Sequence, residues 1–259
     1  MTEIIHLNAG TLRVASYPTV VCHCVAIVER GAVALIDTGI GVHDVRDPER
    51  RLGRSLIDAA GFCFNRRDTA AERLLAMGIE AFQVCDIVLT HADPDHTGGL
   101  ADFPSARVHV SERELKSVLA GSSRYVASHF EHSPRWQSVS DSSATREWFG
   151  LSARVLPLEL TTEVLLVPLP GHTLGHCGVA VRNGSRWLLH AGDAYYLRAE
   201  LDDPHHPVGA LAAARAEDDA LRRGTLDRLR TLIRDHAARI EVCGYHDIAE
   251  LPKTCIDWE

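Results

Sequence analysis

The chain has no apolar run approaching the ~20 residues that a membrane span requires. Residues 1–10 lack a basic stretch leading into a hydrophobic segment and a small-residue cleavage site. No membrane partner is expected, and the expected location is cytoplasmic. Positive charge is also short: 27 Lys and Arg stand against 35 Asp and Glu, a formal net charge of −8. Without clustered Lys and Arg to neutralise phosphates, a nucleic-acid surface is excluded. The paired cysteines of a zinc finger are missing too, since the 7 cysteines are an odd number scattered along the chain. Cys22 and Cys24 flank His23, but the alternation from Val20 to Val28 puts both thiols on one strand face, where free cysteine packs as a small hydrophobe.

What remains is an ordinary globular composition, 259 residues with 46% hydrophobic and 24% charged, enough for a sizeable core. Aromatics make up only 6% of it, yet Tyr125, Phe130, Trp136, Trp148 and Phe149 fall in one stretch. The unusual count is 15 histidines.

Hydrophobic patterning predicts strands at 12–15, 20–29 and 33–36, the last two joined by the hairpin signal Arg30-Gly31. A helix is expected over 69–77, ended by Gly78, and a short buried strand over 87–90. Then come a strand at 107–110 and a helix at 111–120, whose Ser111 and Glu114 have capping-box spacing. Residues 121–150 have no clear period and read as a lid or insertion. Strands at 162–167, 178–182 and 186–189, a long helix over 210–238 and a strand at 240–242 complete the chain. No linker divides it, so 1–259 is expected to form a single domain of two similar half-units, with two sheets packed face to face and helices outside.

His91, Asp93, Asp95 and His96 place four candidate metal ligands within six residues at the end of a strand. Imidazole and carboxylate together suit Zn, Mn or Fe rather than an all-oxygen Ca or Mg site. Pro94 fixes its own φ and pushes Asp93 toward an extended conformation, so alternate side chains diverge and can serve two adjacent metals. Further motifs follow where later strands end: Pro170-Gly171-His172-Thr173, Ala191-Gly192-Asp193-Ala194 and Gly244-Tyr245-His246-Asp247.

Taken in order with Asp37-Thr38-Gly39, these motifs span positions 37 to 246 and resemble the metallo-β-lactamase fold superfamily. The resemblance implies a four-layer αββα sandwich of two mixed β-sheets flanked by helices. It also implies two divalent metal ions, zinc first, with Fe or Mn as alternatives. His91, His172 and position 93 would hold one, Asp95, His96 and His246 the other, with Asp193 bridging. The family's common second histidine is here Asp93, as flavodiiron members place a carboxylate there; three ionised carboxylates shift preference toward harder cations, and a weakened or empty first site is the competing outcome. The implied chemistry is hydrolysis by a metal-bridging hydroxide, oriented by Asp95, since a metal lowers the pKa of water from about 15.7 to about 7. Gly192 to Tyr196 resembles the N-acyl-homoserine lactonase branch, in which a Tyr at the place of Tyr196 donates to the substrate carbonyl, and Tyr195 is the substitute if the register differs. A dinuclear hydrolase opening a lactone or related ester is therefore expected. An iron-dependent, persulfide dioxygenase-like oxidoreductase and a hydrolase of a thioester or β-lactam stand as alternatives. The expected partner is a small-molecule substrate, with a homo-oligomer left open.

Several residues get a plainer reading. Asp37 is expected to support a loop beside the site, His176 to support a ligand, and His190 to sit in the core. His129, His132, His205 and His206 read as solvated loop residues, and the charges of 215–230 as the solvated face of a helix. The five clustered aromatics form either an apolar wall over the metals or simple anchors for a long loop.

Overall fold

In the computed structural model, which describes residues 2–140, 142 and 145–255, the chain forms two mixed sheets. The first takes β1 (Thr2–Leu12), β2 (Val20–Glu29), β3 (Ala32–Ile36), β4 (Phe62–Cys63), β5 (Val84–Val88), β6 (Arg107–Ser111) and β7 (Arg135–Val139). The second takes β8 (Thr145–Trp148), β9 (Leu151–Val155), β10 (Val164–Pro168), β11 (Cys177–Asn183), β12 (Arg186–His190) and β13 (Ile240–Cys243). Their strand orders are β4-β1-β2-β3-β5-β6-β7 and β13-β12-β11-β10-β9-β8. Each half of the sequence thus builds one sheet. β1 to β3 form the expected antiparallel meander, whereas β3, β5, β6 and β7 run parallel.

Alternation along β2 explains the layering. Val25 and Ile27 face the second sheet, joining Ile36 and Val88 against Leu166, Val179 and Val181. Cys22, Cys24 and Ala26 point the other way, into a core closed by Ala70 and Leu74 of the helix Ala70–Ala76 and by Phe103. On the outer face of the second sheet, Val167, Ala180 and Leu189 pack on Leu226, Leu229 and Leu232 of the helix Asp219–His236. This is the expected αββα sandwich.

Some local expectations change. The first strand is Thr2–Leu12, because its pairing with β2 runs from Thr2↔Glu29 onward, and it does not extend to 15. The helix expected over 210–238 is two helices, Val208–Arg215 and Asp219–His236. The amides of Glu217 and Asp218 leave the helical ladder to donate to the carbonyls of His172 and Gly171, and Asp218 caps the second helix by accepting from the Leu221 amide. Ser111 does cap the helix Glu112–Leu119, but Glu114 does not close a capping box; its carboxylate is buried and turned elsewhere.

The stretch 121–150 carries the chain from the edge of the first sheet to the edge of the second, and Asp141, Ser143 and Ala144 of it lie outside the described residues. Its aromatics are anchors. Phe130 packs at a tilt on Trp136 against the first core, Trp148 meets Trp187 edge to face in the second, and the Tyr125 hydroxyl donates to Glu114. His129 is buried rather than solvated, bonded to Thr97 and facing Asp44 at 3.2 Å. Arg222, expected on a solvated helix face, is likewise buried, its guanidinium on Glu200 and Asp219.

Candidate metal centre

Every expected ligand follows the end of a strand at one rim of the sandwich. His91 to His96 follow β5, His172 lies in the β10–β11 turn, Asp193 follows β12 and His246 follows β13. The rim brings them into three overlapping groups, His91–Asp93–His172, His91–His96–Asp193 and Asp95–His96–His246, each with its ligand atoms within 4.8 Å of one another. Asp193 is central: its carboxylate lies 3.3 Å from His96 Nε2, 3.3 Å from His246 Nε2 and 3.4 Å from His172 Nε2.

The imidazoles are aimed from behind. His96 Nδ1 donates to Asp37 at 2.8 Å, and His246 Nδ1 to the Val21 carbonyl at 3.0 Å, so each ring turns Nε2 to the centre. Asp37 also accepts from the Thr90 amide and hydroxyl and sits at φ 55°, a strained setting that these bonds hold. It supports the loop beside the site, as expected. His176 bonds the Leu169 carbonyl through Nδ1 and accepts the Asp193 amide at Nε2, positioning Asp193. Burial drives its pKa down to about 3, so it stays neutral. Gly192 before Asp193 is required, because at φ 55° a Cβ there would lie 2.7 Å from His176 Nε2. His190 is a core group whose Nε2 donates to the His23 carbonyl.

The donor set of Asp95, His96, Asp193 and His246 fits a divalent cation. His96 Nε2 and Asp193 Oδ1 are buried without a hydrogen-bond partner, as is His91 Nε2 beside them. Burial would lower the pKa values of His96 and His246, yet Asp193 and Asp95 push both upward, joined at His96 by Asp37. These carboxylates call for positive charge at the centre.

The other set, His91, Asp93 and His172, meets a residue that sequence reasoning missed. Arg124 grips Asp93 with both arms, Nε to Oδ1 and Nη2 to Oδ2, each at 2.6 Å. The same Nη2 is 2.8 Å from His172 Nε2, and Nη1 donates to the Arg215 carbonyl. With the guanidinium there, these residues do not fit a metal ion. Nothing in Ser122-Ser123-Arg124-Tyr125 marks the arginine. Glu114, read as a cap, ties this corner together by accepting from the Ala92 amide, the Tyr125 hydroxyl and the Thr173 hydroxyl.

A cleft of about 230 Å³ opens on Asp93, Asp95, Asp193 and His246. Its walls are Leu12, Val14, Tyr17, Val20, Leu56, Val208 and Leu211, with Arg215 at one side, and none of the clustered aromatics contributes. Tyr196 lines it, its ring 5.2 Å from that of His246 and 5.8 Å from that of His172. Burial, then Asp193 and Asp93, raise its pKa, so the phenol keeps its proton. Tyr195 points away to Glu250.

This fold, with the ligands on one rim, places the chain in a class that residues 17–243 also match: it belongs to the metallo-beta-lactamase superfamily. A protein of Mycobacterium tuberculosis named as a probable metallo-hydrolase is 37% identical over 253 residues, 95% of this chain and 77% of that one, and a protein of Mycobacterium bovis so named matches equally. Among solved structures, an N-acyl homoserine lactone hydrolase with the product N-hexanoyl-L-homoserine at its catalytic metal centre superposes with TM-score 0.72 and 19% identity, covering 99% of this chain and 96% of that one. A B. thuringiensis AiiA mutant with bound N-decanoyl-L-homoserine gives 0.73 and 18%, with 98% and 96% covered.

Proposed function

We propose that the protein is a metal-dependent hydrolase that opens a lactone or related ester bearing an apolar acyl group. The observation that carries this is the cleft, whose floor is the Asp/His cluster and whose walls are mostly aliphatic. An apolar pocket converging on a few polar groups suits an uncharged substrate with a hydrocarbon arm. The two solved lactone hydrolases with homoserine products support the same choice, through likeness of fold.

Asp95, His96, His246 and Asp193 would hold a divalent ion, which there supplies an acidified water and polarises the carbonyl. Asp95 orients the attacking water. Tyr196 keeps its hydroxyl proton and donates it as a hydrogen bond where negative charge develops on the carbonyl oxygen. The aliphatic walls hold the acyl arm and exclude bulk water. Zinc is the preferred ion. Asp93 supplied the third negative charge behind an iron reading, and its charge is met by Arg124 instead.

The test is turnover by metal-loaded protein over a panel of lactones, aryl esters, thioesters and β-lactams, with oxygen uptake recorded alongside. Lactone opening that quickens as the acyl chain lengthens is the expected result. Failure to hydrolyse any member, or oxygen consumption with a persulfide, would overturn the reading.

A further inference from the structure

Of the two ions implied by the sequence, we propose that the resting protein holds one, because the Arg124 guanidinium takes the place of the other among His91, Asp93 and His172. This rests on reading the rim as a metal centre, but goes beyond it by assigning a side chain to half of that centre.

The atoms that such an ion would need are already engaged. A zinc ion would need His172 Nε2 at about 2.0–2.1 Å and a carboxylate oxygen at about 2.0–2.2 Å. In the structure that nitrogen faces Arg124 Nη2 at 2.8 Å, and both Asp93 oxygens accept from Arg124 at 2.6 Å. His172 Nε2 has a single lone pair, which cannot serve a metal and the guanidinium at once, and the positive guanidinium held against both Asp93 oxygens opposes a cation there. A planar fork matched to a carboxylate is the arrangement that arginine holds best, and a lysine would not reproduce it.

The arginine is also built in rather than resting there. Its Nη1 donates to the Arg215 carbonyl at the break between two helices, where the amides of Glu217 and Asp218 hold the His172 loop. Its neighbour Tyr125 is tied through Glu114 to Ala92 and Thr173, the residues beside His91, Asp93 and His172. One buried carboxylate therefore fixes the three segments of this corner against one another, with the guanidinium between them. The departure at position 93 then has a physical reason. An aspartate there is the partner an arginine needs, where a histidine would be a metal ligand.

The contrasting atoms lie on the other side of Asp193. His96 Nε2 and Asp193 Oδ1 have no hydrogen-bond partner, and no guanidinium faces them in the described structure. His91 Nε2, also without a partner, lies 3.5 Å from Asp93 and 3.9 Å from Asp193. Beside Asp193 these donors are free, whereas of the three residues around Asp93 only His91 offers an uncommitted atom.

Metal-free full-length protein is titrated with zinc by calorimetry, and bound zinc is counted by elemental analysis. The wild type is expected to take one equivalent tightly, and Arg124→Met together with Asp93→His to take two. With manganese instead, the double variant should show exchange coupling between two ions in its electron paramagnetic resonance spectrum, and the wild type an uncoupled signal. Should the double variant not fold, Asp93→Ala decides: one zinc at unchanged affinity supports the proposal, and loss of one of two equivalents overturns it. Two tight equivalents in the wild type would overturn the proposal while leaving the metal-centre reading intact. No zinc in any form of the protein would overturn that reading itself.

Discussion

Asp37 and Asp95 are both aspartates within reach of His96, yet they do different things. Asp37 lies behind the ring and accepts from Nδ1, whereas Asp95 lies in front, 3.9 Å from Nε2 and 3.5 Å from His246 Nε2. Asp37→Asn puts an amide in this cluster of donors and disturbs the tautomer that turns His96 Nε2 to the ion. Zinc affinity is expected to fall by about ten- to a hundredfold, measured by competition with a chelator. Asp95→Asn should cost more activity than Asp37→Asn when both are fully loaded, because in the proposed mechanism Asp95 orients the attacking water and Asp37 does not. Equal losses at equal zinc content would contradict that division. Tyr196→Phe keeps the ring against His246 and removes only the donor, so kcat should drop by about ten- to a hundredfold with zinc retained. That corresponds to about 1.4 to 2.7 kcal/mol of transition-state stabilisation. Unchanged kinetics would leave Tyr196 a packing residue.

The elements that carry ligands were legible because strand ends and dense motifs coincide. His91 to His96 directly follow a short apolar strand, and Asp193 and His246 each follow another. What could not be read was set by distant partners. The alanine-rich run around 210–216 favours helix locally, but the amides at 217 and 218 bond the His172 loop and break it. Arg124 is one arginine among many until the fold brings Asp93 and Arg215 to it, and the cleft walls come from stretches far apart in sequence, 12–20, 56–60 and 196–215. Ser111 and Glu114 had the spacing of a local motif, and tertiary packing used the glutamate otherwise. Glu114→Ala would leave the Ala92 amide and two hydroxyls without their acceptor, and each buried unpaired group costs about 1–3 kcal/mol. A loss of about 3 kcal/mol is expected, read as a lower urea midpoint with unchanged slope. Glu114→Gln keeps one acceptor oxygen and should lose clearly less; an equal loss would mean that burial of the charge, rather than these bonds, governs the position.

At the scale of the whole molecule the two halves must stay in register for the rim to form, and Asp86 on β5 is one of the groups that joins them. It accepts from Arg107 Nε and Nη2 and from His109 Nε2 on the neighbouring strand, and also from the amide of Glu159, in the half that builds the second sheet. The groups facing it are the Arg107 guanidinium and the His109 ring, with the Glu159 carboxylate 3.5 Å from Arg107. Burial alone would raise the Asp86 pKa, but these donors outweigh it and hold the carboxyl at about 2, against 3.8 for the free group. The folded state therefore binds its proton less readily than the unfolded chain. The resulting stability is full well above pH 3.8 and is lost as pH falls toward 2, amounting to about 2 kcal/mol in all, with about half gone by pH 3. Asp86→Asn removes this dependence. In urea melts its stability gap to the wild type should narrow by about 1 kcal/mol between pH 7 and pH 3. A gap that stays constant over that range would show that the aspartate holds the two halves together by shape and not by charge.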